Sequence, residues 1–198
     1  MTGPGATARR TGGVELLERA LGYALGTVQA VTPASLTHPT PCREWDLRAL
    51  LHHVDDSLAA LQEGIEARDV GLGPAADEPG PAADLAGRFR DRAHRLLGAL
   101  TRADGHDHLV AVADLPLTAG ILASTGAIEI AVHGWDISEA CGRHRPVPGE
   151  LAVELLELCP LLVDDSDRHG RFAAPVTVSA LACPSDRLVA FLGRDPLS

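Results

Sequence analysis

Residues 118–141 read TAGILASTGAIEIAVHGWDISEAC, a long segment with few charged side chains. The segment is rich in Ala, Ile and Val and contains no Pro, which predicts one long helix. A membrane span also needs roughly 20 mostly apolar residues. Three glycines, a proline, Glu129 and His133 lie between positions 115 and 135 and weigh against that alternative. We therefore expect this helix to be the most buried one of a soluble protein.

Glu129 is the only residue with a formal charge between positions 115 and 135. Burying an ionised carboxylate without a partner is costly, so this side chain should be protonated, paired or bound to a cation. His133 follows four residues later, on the same face of the predicted helix. The two residues have the spacing of helical metal-binding motifs, although a buried ion pair or hydrogen bond explains the same spacing.

A metal site needs a third ligand, and a second predicted helix offers His52 and His53. His53 shares a face with Leu50, three residues before it, and with the small Ser57, four residues after it. We therefore expect His53 rather than His52 to lean into the protein. Two histidines and one carboxylate leave an open position on a metal, which is typical of catalytic rather than structural zinc.

Hydrophobic periodicity predicts the remaining elements and an all-α fold. A loop is predicted at 32–45 and a flexible connection at 70–82, because Pro and Gly are frequent there. Residues 104–117 are predicted to be irregular or briefly extended, and residues 175–178 extended. The other predicted helices cover residues 13–31, 47–65 with Asp46 as the N-cap, 83–103, 150–164 and 185–192.

The composition excludes several classes of function. A formal charge of −10 argues against nucleic-acid binding, since that affinity comes from clustered basic residues. All 17 basic residues are Arg, which suggests a GC-rich genome. The four cysteines lie far apart without a C-x-x-C pair, so we expect thiols. The start, MTGPGATARR, has no apolar region typical of a secretory signal, so we expect a cytoplasmic protein with no membrane partner.

Three separated segments resemble one protein family. They read PTPCREWDLRALLHHV at 39–54, EIAVHGWD at 129–136 and LVAFLGRDP at 188–196. In this order they are similar to the mycothiol-dependent maleylpyruvate isomerase N-terminal family, within the DinB-like metal-binding superfamily. The resemblance extends from the first predicted helix to the last.

The resemblance implies a DinB-like four-helix bundle over residues 1–145, with residues 146–198 as a C-terminal extension packed on it in one structural unit. It also implies a divalent metal, usually zinc, held by His53, Glu129 and His133, with Ni2+, Mn2+ and Fe2+ as alternatives. Family members studied as enzymes bring a low-molecular-weight thiol to the metal. In actinobacteria this thiol is mycothiol, and it serves isomerisation or S-transfer.

The sequence also departs from the family pattern. Asp55 and Asp56 follow His53 where small residues are frequent, and the longer C-terminal domain of the isomerase itself is not present in these residues. Both departures leave the substrate open. Asp56 and Asp136, each three residues after a predicted ligand, are the candidates for catalytic proton transfer or for orienting that ligand. A solvated Asp56 explains its position equally well.

Other polar residues are given no part in the predicted site. His106 and His108 are interpreted as solvated loop residues, and Cys42 as a small buried hydrophobe. Gly193 predicts a helix C-cap, which makes the ending around it structural. Arg194, which follows, is left as a residue that can reach a substrate anion.

The leading hypothesis is a metal-dependent thiol transferase or isomerase acting on a small electrophilic molecule. One alternative is a thiol-independent metal enzyme that activates water or, with Fe(II), oxygen. Another is a noncatalytic metal- or small-molecule-binding protein. The sequence leaves the electrophile open, and the chain is expected to be a monomer or a homodimer.

Overall fold

The computed structural model describes residues 12–42, 45–67, 69–70, 84–102, 109–112, 115–163 and 172–197. Most of these residues are helical, which confirms the prediction of a mainly helical protein. The helices are α1 (Gly13–Thr27), α2 (Leu47–Glu66), α3 (Leu85–Arg102), α4 (Ala119–Ala140), α5 (Gly149–Leu162) and α6 (Pro184–Phe191).

The first four helices share one hydrophobic core. Helix α1 packs along α4, α2 packs against α3 and α4, and α1 also contacts α3. The α1–α4 contact is close at Gly134, where an added Cβ would lie 2.9 Å from the Tyr23 ring. Helix α4 is buried along most of its length, as the uncharged segment predicts. The largest fully buried side chains include Trp135, Phe89, Leu16, Leu17, Leu21, Leu47, Leu50, Leu51, Leu58 and Leu96.

Helices α5 and α6 pack on this core from one side. Helix α5 contacts α1 and α4, and α6 packs on α5. An ion pair joins Arg19 of α1 to Glu154 of α5, with 2.6 Å between Nη1 and Oε1. The Ser185 hydroxyl at the start of α6 accepts a hydrogen bond from the Val147 amide, which lies just before α5, at 2.9 Å. These contacts attach the C-terminal residues to the main helices.

A small sheet accompanies the helices. Strand β1 (Asp69–Val70) pairs in parallel with β2 (Leu109–Val112), and β2 pairs antiparallel with β3 (Leu115–Thr118). Strand β3 lies at an edge of the sheet. Its Pro116 has no amide hydrogen to donate, which an edge strand tolerates. The briefly extended structure predicted within 104–117 is therefore present at 109–112 and 115–117, and the rest of that prediction lies outside the described residues.

The helix ends follow the predicted capping residues. The Asp46 carboxylate accepts a hydrogen bond from the Ala49 amide at 2.8 Å and caps α2, as predicted. Gly193 follows the last turn of α6 with a φ of +84°, the left-handed conformation of a helix C-cap. The segment predicted to be extended at 175–178 belongs to no strand of the described sheet. Its Val176 amide donates a hydrogen bond to the Ala190 carbonyl near the end of α6. Among the described helices, none has the length and hydropathy needed to cross a membrane.

Candidate metal centre

Helices α2 and α4 bring His53, Glu129 and His133 together. The hydrophobic stripe of α2 faces the core, and His53 lies at the edge of that stripe, opposite α4. Glu129 and His133 stand one turn apart on α4. One ligand atom from each of the three side chains lies within 4.8 Å of the others. The structure thus places the three sequence-predicted ligands side by side.

The distances between these atoms suit a small divalent ion. The Nε2 atom of His53 lies 2.6 Å from Oε1 of Glu129, and Nε2 of His133 lies 3.2 Å from the same oxygen. Zinc binds nitrogen and oxygen ligands at about 2.0–2.2 Å, so two atoms on one ion stand no more than about 4.4 Å apart. Both measured separations fall inside that limit, and both are also hydrogen-bond distances, so the side chains contact one another directly in this structure. Two imidazole nitrogens and a carboxylate also form a donor set that transition metals prefer.

The three candidate ligands differ in their exposure to solvent. The side chain of His133 is 2% exposed and that of Glu129 19%, whereas that of His53 is 33% exposed. The Trp45 ring packs on His53, with 4.5 Å between ring centroids, and lies 6.2 Å from His133. Of the three candidate ligands, His53 is therefore the most exposed to solvent, and it lies next to the Trp45 ring.

The other nitrogen of His133 is held by a buried ion pair. Its Nδ1 lies 2.9 Å from Oδ2 of Asp136, and both residues are almost fully buried. Arg194 donates to both oxygens of Asp136, from Nη2 at 2.9 Å and from Nε at 3.3 Å. A hydrogen bond from Nδ1 fixes the tautomer of a metal-binding histidine and turns its Nε2 toward the metal.

The charges around the site oppose the effect of burial. Burial alone would raise the pKa of Glu129, but the facing imidazoles of His133 and His53 hold it well below the usual carboxyl range. Burial alone would lower the pKa of His133, but the carboxylates of Glu129 and Asp136 raise it to about 9. A metal ion bound between these residues would compete with a proton for Nε2 of His133.

Asp136 is also held in its charged form. Burial acts to raise its pKa, but the Arg194 guanidinium and the His133 ring outweigh that effect, and the net pKa lies below the usual value. The predicted role of Asp136 in orienting His133 matches this geometry. Its predicted role in proton transfer is not tested by the structure.

The remaining candidate residues lie apart from the three ligands. Asp56 is exposed, and within the described part of the chain it makes no hydrogen bond or ion pair, so its catalytic role stays a prediction. His52 is exposed as well. Cys42 is half-buried, so it is less buried than the sequence predicts. His106 and His108 lie outside the described residues. The four cysteines carry thiols, as expected.

Sequence reasoning missed two arrangements of polar residues. Asp55 is buried and receives hydrogen bonds from Arg88 and Arg92 of α3, at 2.8 and 2.7 Å. The i, i+4 spacing of these two arginines was a visible signal for a shared partner. The second is the contact of Arg194 with Asp136, residues separated by 58 positions. Nothing in the sequence pattern points to that contact.

A helical fold with this donor set defines a candidate metal-binding protein, and comparison with known families identifies the class. The model of the family described as "Mycothiol maleylpyruvate isomerase N-terminal domain" matches residues 17–138. The match covers more than half of the chain and includes all three candidate ligands. The protein belongs to this family, as the resemblance of its three motifs predicts.

Two similar proteins come from Mycobacterium tuberculosis, one from strain CDC 1551 / Oshkosh and one from strain ATCC 25618 / H37Rv. Each is 29% identical to this chain over 162 residues, which cover 79% of this chain and 83% of the relative. Both relatives are named only as uncharacterized proteins, so the similarity gives no information on activity. No solved structure matches the chain significantly.

Proposed function

We propose that this protein is a divalent-metal-dependent enzyme that uses a low-molecular-weight thiol, mycothiol, in S-transfer to, or isomerisation of, a small electrophilic metabolite. The observation that carries the proposal is the convergence of His53, Glu129 and His133, which place one ligand atom each within 4.8 Å of the others. Membership of a family whose description names mycothiol and maleylpyruvate isomerase supports the thiol and the reaction class.

The proposed metal is zinc, held by His53, Glu129 and His133. A zinc ion bound there would lower the pKa of a thiol, ordinarily about 8.5, so that the thiol is ionised at neutral pH. Several residues of the chain would support the bound zinc ion. Glu129 supplies the negative charge, Asp136 holds the ring of His133, and Trp45 covers one side of His53.

The fold supports the same proposal. The contacts of α1 with α3 and α4, and of α2 with α3 and α4, are those expected of a DinB-like four-helix bundle. We propose that α5 and α6 form an extension packed on that bundle within one structural unit.

We also propose how the two candidate aspartates differ. Asp136 is fully buried behind His133, so it acts by positioning that ligand rather than by touching the substrate. Asp56 is exposed on the same helix as His53. Because it is exposed to solvent, Asp56 is the candidate for accepting the proton that the thiol loses.

Titration of cobalt-substituted protein with thiols tests the proposal. Addition of mycothiol should produce sulfur-to-cobalt charge-transfer absorption that saturates near one equivalent at a pH well below 8.5, where free thiolate is scarce. A simple alkyl thiol should bind more weakly, since it offers no sugar for the surroundings to recognise. The His52→Ala variant should behave like wild type, and Glu129→Gln should show no such absorption.

The same donor set favours one other function. Two histidines and one carboxylate also suit Fe(II), which supports an enzyme that activates water or oxygen without a thiol. A metal-loaded protein whose absorption does not change with either thiol would contradict the thiol proposal and favour this second candidate. Tight binding of a small molecule without turnover would instead favour a noncatalytic carrier.

A further inference from the structure

We propose that Arg194 is a positioning residue of the metal centre, acting through Asp136 on His133. The inference rests on the proposed metal binding. Arg194 lies beyond residues 17–138, so the family match assigns it no role. It comes from the C-terminal residues that pack on the main helices, and it reaches the side of His133 that faces away from Glu129.

The hydrogen bonds fix the Asp136 carboxylate from two directions. Arg194 binds Oδ1 through Nε and Oδ2 through Nη2, which is the paired geometry that a guanidinium offers to a carboxylate. Oδ2 also accepts the hydrogen bond from Nδ1 of His133. Rotation of the carboxylate would break at least one of these bonds. The plane of Asp136, and with it the direction of the His133 ring, is therefore set by Arg194.

Burial makes this control strong. Asp136 is 0% exposed and Arg194 3%, so bulk water does not compete for the hydrogen bonds between them. Without the guanidinium, a fully buried carboxylate would keep His133 as its remaining ionic partner. The carboxylate would then be able to turn, and it would hold Nδ1 of His133 less firmly.

The C-terminal backbone holds Arg194 in place. Gly193 and Arg194 donate their amides to Ala190 and Val189, which ends α6 in a tight turn. The Arg194 side chain folds back so that Nη1 donates to the Leu192 carbonyl at 2.7 Å, and the guanidinium lies 5.7 Å from the centre of the Phe172 ring. The guanidinium is thus oriented before any metal binds.

A merely structural role predicts a different result. If Arg194 only fastens the C-terminal residues to α4, its loss lowers the stability of the metal-free protein and leaves the affinity of the folded protein for metal unchanged. The positioning role predicts weaker metal binding by protein that is still folded. Metal affinity and stability must therefore be measured separately.

The experiment measures the Kd for Zn2+ by competition with a chelator, and the visible spectrum after loading with Co2+. The proteins are wild type, Arg194→Gln, Arg194→Lys, Asp136→Asn and the double variant Asp136→Asn/Arg194→Gln. Urea unfolding of the metal-free proteins gives their stability. Arg19→Gln is the matched control, because it removes another arginine–carboxylate pair that ties the C-terminal residues to the main helices, away from the site.

Arg194→Gln is expected to weaken Zn2+ binding about tenfold to a hundredfold, the range for losing a group that orients a ligand, and to alter the cobalt spectrum. Arg194→Lys should restore part of the affinity, because it keeps the charge but not the paired geometry. The double variant should bind no more weakly than Asp136→Asn, since Arg194 acts through Asp136. Arg19→Gln should keep the wild-type Kd and spectrum.

Three results would overturn the inference. They are an unchanged Kd in Arg194→Gln, losses that multiply in the double variant, and an equal loss in Arg19→Gln. If Arg194→Gln does not fold, Arg194→Lys decides, and a wild-type Kd and cobalt spectrum in that variant would count against the proposal. Wild-type protein that binds no metal would instead overturn the proposed function, and this inference with it.

Discussion

Two buried aspartates in this protein are held by arginine, and they have different surroundings. Asp55 joins α2 to α3 through Arg88 and Arg92, and within the described parts of the chain its side-chain hydrogen bonds come from these guanidinium groups. Asp136 is bound by Arg194 and also accepts a hydrogen bond from His133. The first arrangement joins two helices, whereas the second ends on a candidate metal ligand.

Solvent exposure separates the two arrangements further. The side chains of Arg88 and Arg92 are 27% and 22% exposed, so they keep part of their hydration. Arg194 has lost nearly all of its hydration, which is costly for an ion pair. A buried carboxylate with an arginine partner is thus not by itself a sign of function. The additional bond to His133 is what connects Asp136 to the proposed chemistry.

The largest effect is expected from the ligands themselves. Wild-type protein should purify with close to one divalent ion per chain, and His53→Ala, Glu129→Gln and His133→Ala should each lose most of it, because two remaining ligands bind a metal poorly. Metal analysis of the purified variants measures this. A metal content unaffected by all three changes would remove the site and, with it, the contrast between Asp136 and Asp55.

Loss of the helix-joining aspartate should affect stability instead. Asp55→Ala leaves two partly buried arginines without their carboxylate. It should lower the free energy of unfolding by about 2 kcal/mol, below the cost of breaking a completely buried pair, because both arginines are partly exposed. Urea unfolding of the metal-free protein measures it. Metal bound per folded chain should not change, and a variant that loses its metal while remaining stable would show that Asp55 also belongs to the site.

A smaller effect is expected where the chain turns toward Arg194. Gly142 and Gly193 both have a positive φ, which strains any residue with a Cβ. The added Cβ of Gly193→Ala would lie 2.6 Å from the Ala173 carbonyl oxygen, whereas that of Gly142→Ala would have no atom within 4 Å. Gly142→Ala should cost about 1 kcal/mol of stability, and Gly193→Ala about 1 kcal/mol more, from the backbone clash. Thermal or urea unfolding compares them. Equal losses in the two variants would mean that the C-terminal turn shifts without strain.

The smallest effect is expected at His52. This histidine is exposed, so His52→Ala should retain the metal content and the stability of wild type to within about 0.5 kcal/mol. The same metal analysis and unfolding measurements apply. Loss of the metal from His52→Ala, with the metal retained in His53→Ala, would show that His52 rather than His53 is the ligand.

Local patterns predicted most of what depends on neighbouring residues. The Asp46 cap, the Gly193 cap and the helix positions follow from spacing and capping rules. The preference for His53 over His52 came from Leu50 and Ser57 on its face, and the structure places His53 against Glu129. Glu129 was recognisable because it is the single charge in an otherwise apolar segment.

Contacts between distant residues were not predictable in this way. Asp55 meets Arg88 and Arg92 across 33 and 37 positions, and Asp136 meets Arg194 across 58. Those pairings depend on how the helices pack, which periodicity does not determine. The sheet was only partly foreseen for the same reason, because a strand as short as β1 has no periodic pattern and forms only by pairing with β2.

The position of Trp45 gives the protein a built-in optical reporter. The chain has two tryptophans, and the Trp45 ring lies 4.5 Å from the ring of His53, whereas Trp135 is buried in the core. In a Trp135→Phe background, the remaining indole emission would come from a ring in contact with a candidate ligand. Any ion or small molecule that changes the state of His53 would then change the fluorescence of Trp45, so occupancy can be followed without a label.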